Sequence, residues 1–164
     1  MITDDEIDLG LHYELRAGTA TGLPWDVFVS RTGTEPVLLL HELPGLTPAV
    51  ASLGDALRHA GFKVHMPSLF GQPGRVPGAI RNAVTSLFAC IRSDIQAFHR
   101  QDATRPAVRQ LHRLVDMASA EAGQRSVGVI GLCLTGGFAL ALATHGRVAA
   151  AVASEPSLPL FSAD

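Results

Sequence analysis

Residues 36–42, PVLLLHE, are apolar without a break through Leu40 and turn polar at His41. Successive side chains of a strand point to opposite faces, so an unbroken apolar run is expected of a strand covered on both sides. This segment reads as the central strand of its sheet. Residues 62–67 (FKVHMP), 126–131 (SVGVIG) and 148–155 (VAAAVASE) read as further strands, and residues 25–31 (WDVFVSR) alternate as a β-branched one.

Between them lie helical patterns. Thr47 is placed as an N-cap with Pro48 at the first helical position and Gly61 as a stop. Residues 79–98 bring Ile80, Ala83, Val84, Leu87 and Ile91 onto one apolar face, and residues 105–122 and 138–146 are also helical in pattern. Strands alternating with helices imply an α/β fold, a mostly parallel sheet with helices on both faces. With 164 residues, no internal repeat and no linker, one domain over residues 1–164 is expected.

Charge narrows the function classes. Thirteen basic against fifteen acidic residues give −2, with no basic block to bind phosphates or anionic lipid, so nucleic acid and membrane are not expected as partners. The start, MITDDEIDLG, is acidic where a signal peptide is positive, and no apolar run approaches the roughly 18 residues of a membrane span. A cytoplasmic location is expected.

Two cysteines, Cys90 and Cys133, are too few and too far apart for a disulfide framework or a zinc site. Cys90 falls on a helical apolar face and reads as a small hydrophobe. Cys133 does not. It stands between Gly131 and Gly136–Gly137 where strand gives way to helix, which resembles the nucleophile elbow G-x-S-x-G. In that motif the second glycine comes two residues after the nucleophile, where this chain has Thr135, so either a β-branched side chain crowds the turn or the motif is a variant. A dinucleotide-binding turn fits worse, because Cys133 occupies the place of the second glycine in G-x-G-x-x-G. The turn HELPG, residues 41–45, follows the central strand where α/β-hydrolases contribute a backbone N–H to an oxyanion hole.

Together the segments HELPG and GLCLTGG, their order, and GFKVHMPSLFG between them resemble the dienelactone hydrolase family of the α/β-hydrolase superfamily, over residues 36–161. The resemblance implies hydrolysis of an ester or lactone, a small-molecule substrate, and neither metal nor organic cofactor. It makes Cys133 the nucleophile, Glu42 the carboxylate that takes its proton, and the N–H groups of Leu134 and Leu43 the oxyanion hole. The family grips a substrate carboxylate with arginines; around LFGQPGR the matches are Arg75, with Phe70 beside it, and more weakly Arg81. A thiol of ordinary pKa, about 8.5, is only a few per cent ionised at neutral pH, so it needs a neighbouring base, and Glu42 is a reasonable one. His41, adjacent to Glu42 but directed to the opposite face, is expected to be structural.

His145 lies about a dozen residues past Cys133, roughly 18 Å along a helix at 1.5 Å per residue, and is expected to end that helix rather than act as base. Glu155, after the last strand, is the remaining acid at the same edge and reads as a loop residue. By resemblance the family's catalytic Asp and His fall beyond Asp164, so hydrolysis by these residues alone is expected to be impaired. A non-catalytic binding or assembly module on the same scaffold is the alternative. The strand at residues 148–155 is expected as an apolar edge through which two copies could pair as a homodimer.

Overall fold

The computed structural model describes residues 7–75 and 106–156. The helical pattern at residues 79–98, with Cys90 and Arg81, lies outside the described residues. Among the described residues six strands form one sheet: β1 (Tyr13–Arg16), β2 (Val27–Ser30), β3 (Glu35–Leu40), β4 (Phe62–Pro67), β5 (Val127–Leu132) and β6 (Val148–Ser154). Their order is β1-β2-β4-β3-β5-β6. From β4 through β6 all neighbours are parallel, whereas β2 runs antiparallel to both β1 and β4. The sheet is therefore mixed, with β3 inside its parallel part as the apolar run requires.

Among the described residues four helices accompany it: α1 (Gly18–Thr21), α2 (Pro48–His59), α3 (Pro106–Glu121) and α4 (Gly136–Leu142). Along β3 the side chains alternate between two cores. Leu38 and Leu40 join Val127 and Val129 under Leu111, Leu114 and Val115 of α3. Val37 and Leu39 join Val64 and Met66 under Val50 and Ala51 of α2. Leu38, Leu39 and Leu40 are fully buried, and each such side chain contributes about 1.5–3 kcal/mol when removed from water. This is the physical content of the unbroken apolar run.

Local signals place the helices. The Thr47 hydroxyl accepts the Val50 N–H at 3.4 Å, and Pro48 begins α2 as expected. Residues 138–146 give a different result: α4 begins earlier, at Gly136, and stops at Leu142. His145 thus sits in the following turn, not on the helix. Strand β1 lacks a sequence signal because only Tyr13 of its four residues is buried. At the far margin of the described sheet, β6 leaves Val152 53% exposed.

Candidate active site

The polypeptide leaves β5 at Leu132 and turns sharply. Cys133 takes φ +51°, a left-handed conformation costly for a residue with a side chain, and opens a 3-10 turn, Cys133–Thr135, that runs into α4. The bend is tight enough that a Cβ on Gly131 would lie 2.3 Å from the Thr135 carbonyl oxygen. Glycine two residues before the cysteine is thus a steric requirement. Two residues after it, Thr135 is fully buried without crowding the turn. Its hydroxyl accepts the Leu132 N–H at 2.9 Å and donates to the Leu40 carbonyl at 2.8 Å, with the Leu132 carbonyl at 3.0 Å. The bend thus accommodates a threonine at this position.

Adjacent strand ends bring the second element to the same edge. Leu40 of β3 pairs in register with Gly131 of β5, so Glu42 and Cys133 each stand two residues beyond a matched position on parallel neighbours about 4.8 Å apart. Both are half-buried, as are Leu43 and Leu134. His41 is fully buried. Its Nδ1 lies 2.9 Å from the Glu42 carbonyl oxygen, and its Nε2 accepts the Leu69 N–H at 3.0 Å. A carbonyl on one side and an N–H on the other fix the neutral tautomer protonated on Nδ1. Loss of solvation lowers the ring's pKa to about 4, partly offset by the bond to the Glu42 carbonyl. His41 therefore ties the turn after β3 to the segment after β4.

That segment, residues 68–75, is locked onto the turn. Phe70 packs edge-on against His41 with ring centroids 4.4 Å apart. Gly71, at φ +77°, approaches so closely that a Cβ there would lie 2.2 Å from the Pro44 carbonyl oxygen. The Gly74 N–H donates to the Leu46 carbonyl at 2.7 Å, and the Ile7 N–H donates to the Gly74 carbonyl. Of the two substrate-binding candidates, Phe70 thus borders the turn, whereas Arg75 is exposed beyond Gly74, where the segment meets Ile7.

The other acid and histidine are also placed. Leu132 pairs with Ser154, so Glu155, exposed and at φ +48°, follows β6 alongside Cys133. His145 reaches Asp116 of α3 at 3.5 Å and its ring lies 5.0 Å from that of His112, partners remote from the bend. A depression of about 790 Å3 lies at the opposite edge of the sheet, among Glu14, Arg16, Lys63, Glu121 and Arg125. Arg16 pairs there with Glu121, and Arg125 with Glu35. Among the described residues no cluster of His, Cys, Asp or Glu could hold a metal ion, and no helix is long and apolar enough to cross a membrane.

Residue identity alone could flag Cys133 and Glu42, but not the roles of Thr135 and Leu69. The signal for Thr135 was present as a departure from the elbow pattern at a position too tight to be arbitrary.

The dienelactone hydrolase family model matches residues 27–160. No curated protein matches the chain in sequence. Among solved structures, a protein assigned as a dienelactone hydrolase from Klebsiella pneumoniae subsp. pneumoniae MGH 78578 aligns with TM-score 0.61 at 16% identity, covering 92% of this chain and 62% of that one. The dienelactone hydrolase-like promiscuous phosphotriesterase P91 from metagenomic libraries aligns with TM-score 0.55 at 17% identity, covering 97% and 60%. The chain spans about three-fifths of the length of these two proteins, and at such identities the likeness is one of fold.

Proposed function

The chain belongs to the dienelactone hydrolase family, and from that premise we propose that it cleaves ester or lactone bonds of small molecules with Cys133 as nucleophile. The observation that carries this reading is the left-handed backbone at Cys133, at a strand-to-helix bend beside the turn that holds Glu42 and Leu43. Glu42 takes the thiol proton as substrate binds. The sulfur attacks the carbonyl carbon, forming the C–S bond, and the oxygen that gains charge is met by the N–H groups of Leu134 and Leu43. Collapse of this adduct breaks the C–O bond, the departing alkoxide recovers the proton from Glu42, and a thioester remains on Cys133. Water then releases the acid.

The last step is the slow one where no base assists it. Among the described residues, His41 has both ring nitrogens engaged by the backbone and His145 pairs with Asp116, so neither of these two serves the thioester. General acid–base help is worth roughly 10²–10⁴ in rate, and a thioester that lacks it accumulates as acyl-enzyme. Intact-protein mass spectrometry after incubation with p-nitrophenyl acetate tests the reading. One acetyl group is expected on Cys133, absent from Cys133→Ala and formed about 10²-fold more slowly or worse in Glu42→Gln. No adduct, or an adduct indifferent to Glu42, would end the proposal.

A further inference from the structure

We infer that Thr135 is a positioning residue for this reaction: its buried hydroxyl sets the distance between the bend that carries Cys133 and the turn that carries Leu43. The inference rests on the reading of Cys133 as nucleophile and extends it to a residue that the sequence marks only as a departure from the elbow pattern.

The argument starts from the sheet ladder. Strands β3 and β5 pair in parallel through Leu40 and Gly131, then separate as one enters the HELPG turn and the other the bend. At this last pairing the Leu132 N–H of β5 donates to Thr135 Oγ1 at 2.9 Å, and Thr135 Oγ1 donates to the Leu40 carbonyl of β3 at 2.8 Å. One hydroxyl therefore bridges a donor on one strand and an acceptor on the other. A hydroxyl has one proton, and the shorter contact, to Leu40, is assigned it; the Leu132 carbonyl at 3.0 Å is the alternative acceptor.

Burial makes the bridge consequential. Thr135 is 0% exposed, so no water can readily replace the hydroxyl, and its loss leaves the Leu132 N–H and the Leu40 carbonyl without this partner. Both groups sit one residue from the parts that matter: Leu132 precedes Cys133, and Leu40 precedes the His41–Glu42–Leu43 turn. Two amide donors supplied by separate strand ends stabilise an oxyanion only if their separation is fixed before the charge develops. His41 holds the far side of the same turn through the Glu42 carbonyl and Leu69. Thr135 holds the near side. A glycine at this position permits the bend but offers no such bridge.

Two probes of one sulfur separate positioning from mere structure. Alkylation of Cys133 by iodoacetamide needs an accessible thiolate and no oxyanion hole, whereas acetylation by p-nitrophenyl acetate needs both. For Thr135→Val, isosteric but without the hydroxyl, acetylation is expected to fall about 10–100-fold while alkylation stays within about two-fold across the pH profile. Thr135→Ser is expected to restore acetylation to near the parent rate. Should Thr135→Val not fold by circular dichroism, Thr135→Ala against Thr135→Ser carries the same comparison.

Equal acetylation with and without the hydroxyl overturns the inference while leaving Cys133 as nucleophile. A parallel fall in both probes also overturns it, since the hydroxyl would then serve the thiol or the fold in general. Absence of acetylation in the parent chain sinks the nucleophile assignment, and this inference with it.

Discussion

Two histidines, one at the end of β3 and one in the middle of β4, occupy equally dry surroundings and are treated in opposite ways. His41 spends both ring nitrogens on backbone groups, the Glu42 carbonyl and the Leu69 N–H. His65, flanked in register by Val29 and Leu38, is 2% exposed, and neither of its ring nitrogens has a hydrogen-bond partner among the described residues. It faces a small space of about 10 Å3 bounded by the apolar Val27, Leu114, Met117 and Ala118 and by the polar Arg16, Thr21 and Glu121. Burial lowers the pKa of each to about 4, for His65 against the favourable charge of Glu121 and with the unfavourable charges of Arg16 and Lys63. The difference teaches that burial sets the charge state while hydrogen bonding decides whether a polar ring organises its region or only burdens it.

The largest effect expected from this pair is an acid limb in stability. A histidine whose pKa falls from 6.5 to about 4 on folding takes up protons more readily in the unfolded chain, so its contribution is intact above pH 6.5 and is lost as pH falls towards 4. At 1.36 kcal/mol per unit, each ring contributes about 3 kcal/mol to that loss. Urea denaturation at stepped pH should show it, and replacing either ring by leucine should remove about half. A flat profile between pH 6.5 and 4 would show that the rings are wetter than they look.

Next in size, His41→Leu strands a carbonyl and an N–H at the turn and is expected to cost about 2–4 kcal/mol at pH 7.5, with slower acetylation of Cys133. The smallest change has the opposite sign. His65→Leu replaces a buried ring without hydrogen-bond partners by an apolar side chain between Val29 and Leu38 and is expected to gain about 1–2 kcal/mol, leaving acetylation unchanged. Urea midpoints at constant m-value read both. If His65→Leu destabilises as much as His41→Leu, the contrast between the two sites is broken.

The parts of this molecule legible in its sequence are those governed by neighbours along the chain. Continuous apolarity located β3 and its central place, the Thr47–Pro48 pair began α2, and Gly131 with Cys133 marked the bend. Contacts between distant segments stayed hidden. Thr135 meets Leu40 across 95 residues and His41 meets Leu69 across 28, and no local pattern encodes either bond. Strand β1 escaped because three of its four side chains face partly or wholly outward, and α4 ended early because Ala143 and His145 close its carbonyls with turn-like bonds to Leu140 and Leu142. The antiparallel course of β2 likewise depends on β1 and β4, not on its own residues.

The near-contact of Gly71 with Pro44, reinforced by the Gly74-to-Leu46 bond, joins two segments into one rigid lip. Such a rim cannot drift in outline without displacing the amides beneath it. On the hydrolase reading proposed above, selection for new substrates would therefore exchange side chains, the half-buried Phe70 or the exposed Gln72, rather than lengthen or redraw the main chain, and collections randomised at those two codons should outperform insertions nearby.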